Sequence, residues 1–186
     1  SNTSATAVTL TSTEGAIIDG GDTGGVDVIA GGRLVIDVVT GVGNGGAIET
    51  TVASIDIDNT TSGNIEISET NAITVFKILN GAARDSSTGN VVITADGTIT
   101  VDSAGGNGVA AAGGATITLD ANGGTSDLLV NDDILTVGGA ITLTADNDVI
   151  FEATGDIAST AGAISVRADA DNGGTSSGAL TMVNGT

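Results

Sequence analysis

The chain contains no cysteine, proline, histidine, tryptophan or tyrosine, and only 4 of its 186 residues are basic. Without cysteine there is no disulfide framework and no thiolate ligand set. Without histidine the usual proton carrier near neutral pH is missing, and so few cations leave little to stabilise an oxyanion or a phosphate. Asp132-Asp133 is the only adjacent acidic pair, and no cationic partner stands beside it in sequence. The expectation is therefore a protein that is not an enzyme. The shortage of positive charge leaves a formal net charge of −19, which repels nucleic acid and anionic membrane surfaces but attracts divalent cations. No apolar run reaches the 18 residues a membrane-spanning helix needs, so no membrane insertion is expected. The start, Ser1-Asn-Thr-Ser-Ala5, has neither a basic nor an apolar leader region, which reads as a mature piece or an excised segment.

What is present is glycine, threonine and β-branched aliphatics. The 30 glycines fall in clusters between Val/Ile/Thr runs, so they punctuate an ordered chain rather than dilute it. With only two aromatic residues, Phe76 and Phe151, any core is built from Ile, Val, Leu and Ala. This composition favours strands over helices.

Self-similarity decides the architecture. The phrase Gly139-Ala-Ile-Thr-Leu returns as Gly162-Ala-Ile-Ser-Val, and the same anchor is found at Ile65, Val91 and Ile117. From Ile65 through Val91, Ile117 and Ile141 to Ile164 the steps are 26, 26, 24 and 23 residues. Upstream, Val8 and Leu34 are again 26 apart, while the stretch around Ile55 fits less regularly. Within a repeat the apolar period is two, and a second strand recurs 8 and 10 residues beyond the anchor, at Ile73/Val75, Ile99/Val101 and Val149/Phe151.

Short alternating strands joined by glycine turns cannot bury a face alone, but stacked coils can. The expected fold is all-β: a parallel β-helix, or β-solenoid, with about 23–26 residues per coil. The inward ladders are predicted as Ile65/Val91/Ile117/Ile141/Ile164 and Ile67/Ile93/Leu119/Leu143/Val166. Right-handed coiling is expected from the preference of parallel crossovers. About seven or eight coils would make a rod roughly 35 Å long. Residues 1–186 read as one solenoid domain, either entire or cut from a longer solenoid.

The phrases "AVTLTSTEGAIIDG", "NAITV", "GNVVITADGTITV" and "GAITLTADNDVIFEATGDI" resemble the degenerate repeats of filamentous haemagglutinin-like large exoproteins and related bacterial adhesins, over nearly the whole chain. The resemblance implies a secreted right-handed β-helix acting as a surface adhesin or filament. The N-terminal secretion domain of that group is not found in this sequence.

Several motifs have two readings. Asp169, Asp171 and Asn172, like Asp146, Asn147 and Asp148, cluster oxygen ligands as calcium requires. Asp and Asn also favour such turns for conformational reasons alone. The stretch "GGDTGGVDVI" at 20–29 resembles one calcium β-roll repeat but lacks a consecutive copy, so a glycine turn is the better account. Thr-x-Thr pairs such as Thr118 and Thr142 are flanked in the ladder by Val92 and Ser165, which breaks the flat threonine face that ice binding requires. Lys77, a conceivable isopeptide donor, reads as a solvated lysine. Asn122–Ser126 and Asn172–Ser176 repeat one pentapeptide and are expected to project as loops, as is the turn at 78–89.

No amphipathic helix caps either end, and a β-solenoid without caps presents unpaired edges. Val8 and Leu10 at the front, and Leu180 and Met182 at the back, are the candidate assembly residues. The sequence thus leads to an extracellular or cell-surface filament built by head-to-tail self-association. The alternative is an adhesin stalk segment that binds a glycan or host surface through its glycine-rich loops. No cofactor is implied, apart from calcium at the acidic turns.

Overall fold

The computed structural model describes residues 6–21, 24–43, 45–81, 88–103, 108–171 and 177–183. It is an all-β chain of parallel strands stacked as a β-solenoid, with no helix among the described residues. On one face eight strands stack in chain order, from Thr6–Thr11 through Arg33–Val38, Ser54–Asn59, Ile73–Asn80, Ile99–Val101, Leu128–Val130 and Val149–Phe151 to Leu180–Met182. Val109–Ala111, Ile134–Thr136 and Ile157–Ser159 continue the second half of Ile73–Asn80, so the later coils break one long strand into two. The opposite sheet stacks Ile17–Ile18, Val42–Gly43, Gly63–Glu69, Thr88–Ala95, Ile117–Ala121, Ile141–Ala145 and Ile164–Arg167.

Both predicted ladders are present. Ile65, Val91, Ile117, Ile141 and Ile164 are successive register partners, as are Ile67, Ile93, Leu119, Leu143 and Val166. The second-strand positions Ile73, Ile99 and Val149 also share one ladder, with Leu128 between the last two. Alternation produces this result: one set of side chains points into the coil, where it meets only identical positions above and below. One continuous aliphatic cluster fills the interior, and Leu34, Ile55, Val75, Val101 and Val130 are fully buried along it.

The upstream anchors belong elsewhere than their spacing suggests. Val8, Leu34 and Ile55 stack beneath Val75, on the sheet of the second strands, rather than beneath Ile65. Ile17 and Val42 hold the first-strand ladder there instead. Steps between coils run from 19 residues between Ile48 and Ile67 to 26 between Ile65 and Val91 on that sheet, and on the other from 20 between Ile55 and Val75 to 31 between Phe151 and Met182.

Glycine recurs before several first strands, and at Gly139 and Gly162 the coils nearly touch. A Cβ on Gly139 would run into the Ala115 carbonyl of the coil below, and one on Gly162 into the Gly139 carbonyl. That close approach is the physical reason for the repeated Gly-Ala-Ile phrase. Inside the next corner a buried polar ladder holds the turn. Asn59 donates from Nδ2 to Asn80 Oδ1 at 2.6 Å and accepts from the Gly41 amide at 3.1 Å, while Asn80 donates to the Gly89 carbonyl at 2.5 Å. Thr136 and Ser159 occupy the same position higher up and donate to the Ala115 and Gly139 carbonyls, each at 2.8 Å. These side chains satisfy corner backbone groups that no strand can pair.

Candidate functional site

The two edge coils differ from everything between them. Along the first-strand ladder Ile141 is 0% exposed and Ile164, one coil later, is 44% exposed. On the other sheet Val149 is fully buried, whereas Leu180 and Met182 above it and its neighbour Phe151 are 49% and 69% exposed. The residue type hardly changes; what is missing is a covering coil. At the front, Val8 and Leu10 pack against the core from one side and are partly buried. The four candidate assembly residues thus sit on the first and last strands of one sheet, with Ile164, predicted as a ladder position and not as an assembly residue, as a further exposed apolar group.

Most acidic turn residues have structural partners. Asp127 accepts the Asp148 amide at 3.1 Å, and Asp148 in turn accepts the Ala179 amide at 2.7 Å. Asp133 accepts the Asp156 amide at 3.2 Å, and Asn64 and Asn90 form an equivalent chain to Thr116 at 2.9 and 3.0 Å. In these turns the side chain of an earlier coil caps an amide one coil later, linking successive corners. Asp132 accepts from Ser103 and from the Asp133 amide, which gives the adjacent acidic pair a turn role. Asp169 adopts φ = 52°, the left-handed turn conformation that Asp tolerates. Its Oδ1 is buried without a hydrogen-bond partner among the described residues, and Asp171 is exposed. Asn172 and the rest of the second pentapeptide lie outside the described residues.

Three carboxylates converge at another corner, near the front edge. Asp19, Asp27 and Glu49 bring one oxygen each within 4.8 Å of one another. Asp27 accepts the Glu49 amide at 3.1 Å, and the Asp19 carboxylate lies so close to Gly46 that a Cβ there would meet it at 2.7 Å. Glu49 Oε2 has no hydrogen-bond partner among the described residues, and its carboxyl titrates above the usual range through desolvation and the hydrogen bond and charge of Asp27. This corner uses Asp27 of the "GGDTGGVDVI" stretch together with residues the sequence reading left aside. The missed signal was a coil register: Asp27 lies one coil below Glu49, 22 residues on.

Other surfaces are organised too. The loop at Asn122–Ser126 is pinned, since the Gly123 and Gly124 amides donate to Asp146 at 2.7 and 3.0 Å and Ser126 is buried. The expected projecting turn at 78–89 falls partly on 82–87, outside the described residues. A bulge between Ile55 and Asp56 of the lower strand and the strand above places Phe76 and Lys77 side by side on the surface. Lys77 pairs with Asp56 at 3.2 Å and Asp58 at 3.8 Å, and Arg33 lies over the Phe76 ring. Outward Leu79, Ala110, Leu135 and Ala158 line a shallow groove of about 650 Å³ where strand exteriors are usually polar.

No family model, curated protein or solved structure matches the chain. Among the described residues no helix is long and apolar enough to cross a membrane.

Proposed function

We infer that this chain is a structural β-solenoid that builds an extracellular or cell-surface filament by end-to-end stacking of its coils. One observation carries the reading: the first-strand ladder, fully buried through the middle of the rod, reaches Ile164 at 44% exposure, where another coil would bury it. Burying a large aliphatic side chain is worth about 1.5–3 kcal/mol, and an added strand also pairs the edge amides and carbonyls. Such contacts are heterologous and do not close, so they propagate. The backbone ladder performs this role, and no residue is assigned a chemical step.

The second reading is an adhesin stalk segment, favoured by the loop at Asn122–Ser126, which Asp146 fixes in place as a preorganised contact for a glycan or host surface. Negative-stain electron microscopy of the purified chain, with and without a calcium chelator, tests both. Uniform fibres that are lost in Val8→Asp support the filament. Short monodisperse rods at every concentration would overturn it and leave the stalk. Chelator-sensitive fibres would place a cation in assembly.

A further inference from the structure

One outward ladder on the first-strand sheet runs the length of the rod. Asp27 precedes the Val28–Thr50 register pair, and its amide donates to the Glu49 carbonyl at 2.9 Å. From Glu49 the ladder continues through Ser68, Thr94, Asp120 and Thr144 to Arg167. It therefore begins with two adjacent carboxylates, joined by Asp19, and ends with a cation. Arg167 is exposed and makes no ion pair among the described residues, in a chain with only four basic residues. Ladder neighbours do meet through their side chains, since Thr144 donates to Asp120 one coil below.

Resting on the filament reading, we propose that a second copy of this chain docks in direct continuation of the coil register, with its Asp27 and Glu49 facing Arg167 of the first. In that register the incoming Ile17 covers Ile164, Leu10 covers Ile157 and Val8 covers Phe151, because each pair belongs to one ladder. The charge pattern selects this polarity. Two front edges would bring two acidic corners together, whereas front on back neutralises one.

The register has a steric consequence. Leu180–Met182 already covers Val149–Phe151, while Ile157–Ser159 and Ile164–Arg167 have no strand above them among the described residues. An incoming first strand therefore takes the place of Leu180–Met182. The exchange is favoured by length. The resident strand has three residues and leaves Met182 69% exposed, whereas Thr6–Thr11 has six and covers both halves of that face. Leu180–Met182 is thus a resident cover for the edge, displaced on assembly.

The test is sedimentation of the full chain and three variants: Arg167→Glu, Asp27→Arg, and the double charge swap. Arg167→Glu replaces attraction with repulsion and should raise the concentration needed for assembly about tenfold, with recovery in the double swap. Raising the salt to about 1 M should narrow the gap between wild type and Arg167→Glu, since the pair is screened. A fourth variant, Leu180→Asp with Met182→Asp, weakens the resident strand and should speed assembly. If those two side chains were the docking surface, the same change would abolish it. Assembly that is indifferent to the charge swaps would overturn the proposed register while the filament stands. A wild-type chain that never assembles would overturn both.

Discussion

The middle coils and the edge coils have the same alternating strands but not the same burial. Ile117, with coils on both sides, and Ile164, with a coil only below, occupy the same ladder at 0% and 44% exposure. Burial in this fold is a property of the neighbour and not of the repeat, as expected for a quasi-one-dimensional stack. The sharpest way to test the contrast is to place one charge at each site. Ile117→Asp buries an unpaired carboxylate in a dry ladder and should cost about 4–5 kcal/mol or more, enough to unfold the rod. Ile164→Asp should leave the circular dichroism and melting temperature close to wild type. Equal destabilisation at the two sites would break the comparison.

A smaller effect separates two glycines within three coils of one another. Gly139 sits where the coils touch, and an added Cβ would strike the Ala115 carbonyl, whereas Gly114 has nothing within 4 Å. Gly139→Ala should destabilise by about 1–3 kcal/mol through overpacking against a backbone that cannot yield. Gly114→Ala should stay within about 0.5 kcal/mol, as surface changes usually do. Urea denaturation of the two variants reads the difference directly. Matching losses would mean that the approach to the Ala115 carbonyl does not set the cost.

The repeat was legible because inward ladders demand the same residue class at every level, so Ile65 through Ile164 could be aligned by spacing alone. The second strands were legible for the same reason, including the resumption at Leu128. What spacing does not encode is the sheet on which a strand lies. Val8 and Leu34 showed a convincing step of 26, yet they stack under Val75, because a period of two is the same on either sheet. The bulge at Phe76 was invisible for a related reason, since one inserted residue only restarts the alternation. The acidic corner formed by Asp19, Asp27 and Glu49 needed the coil register of the first two repeats, which are the least regular. The Asn59–Asn80 ladder was hidden because buried amides satisfied by turn carbonyls look like ordinary loop residues in sequence.

The interior coils are themselves not equivalent at one corner, and pH should reveal it. The inward position held by Ala95, Ala121 and Ala145 in later coils is Thr50 and then Glu69 in earlier ones. Glu69 is 1% exposed, accepts from the Thr50 hydroxyl at 2.7 Å and the Val52 amide at 3.1 Å, and titrates above the usual carboxylate range because burial outweighs those hydrogen bonds. A carboxyl whose pKa is higher folded than unfolded binds more protons in the native state, so its contribution is fully present below the unfolded value. That contribution is lost as pH rises from the ordinary glutamate range through the raised one. Glu69→Gln keeps the shape and an acceptor oxygen without the charge. Its stability should match wild type at acidic pH and exceed it progressively as pH rises through that window, measured as the difference between two melting curves so that the shared −19 background cancels. A difference independent of pH would mean that Glu69 titrates alike in the folded and unfolded chain, its hydrogen bonds offsetting its burial.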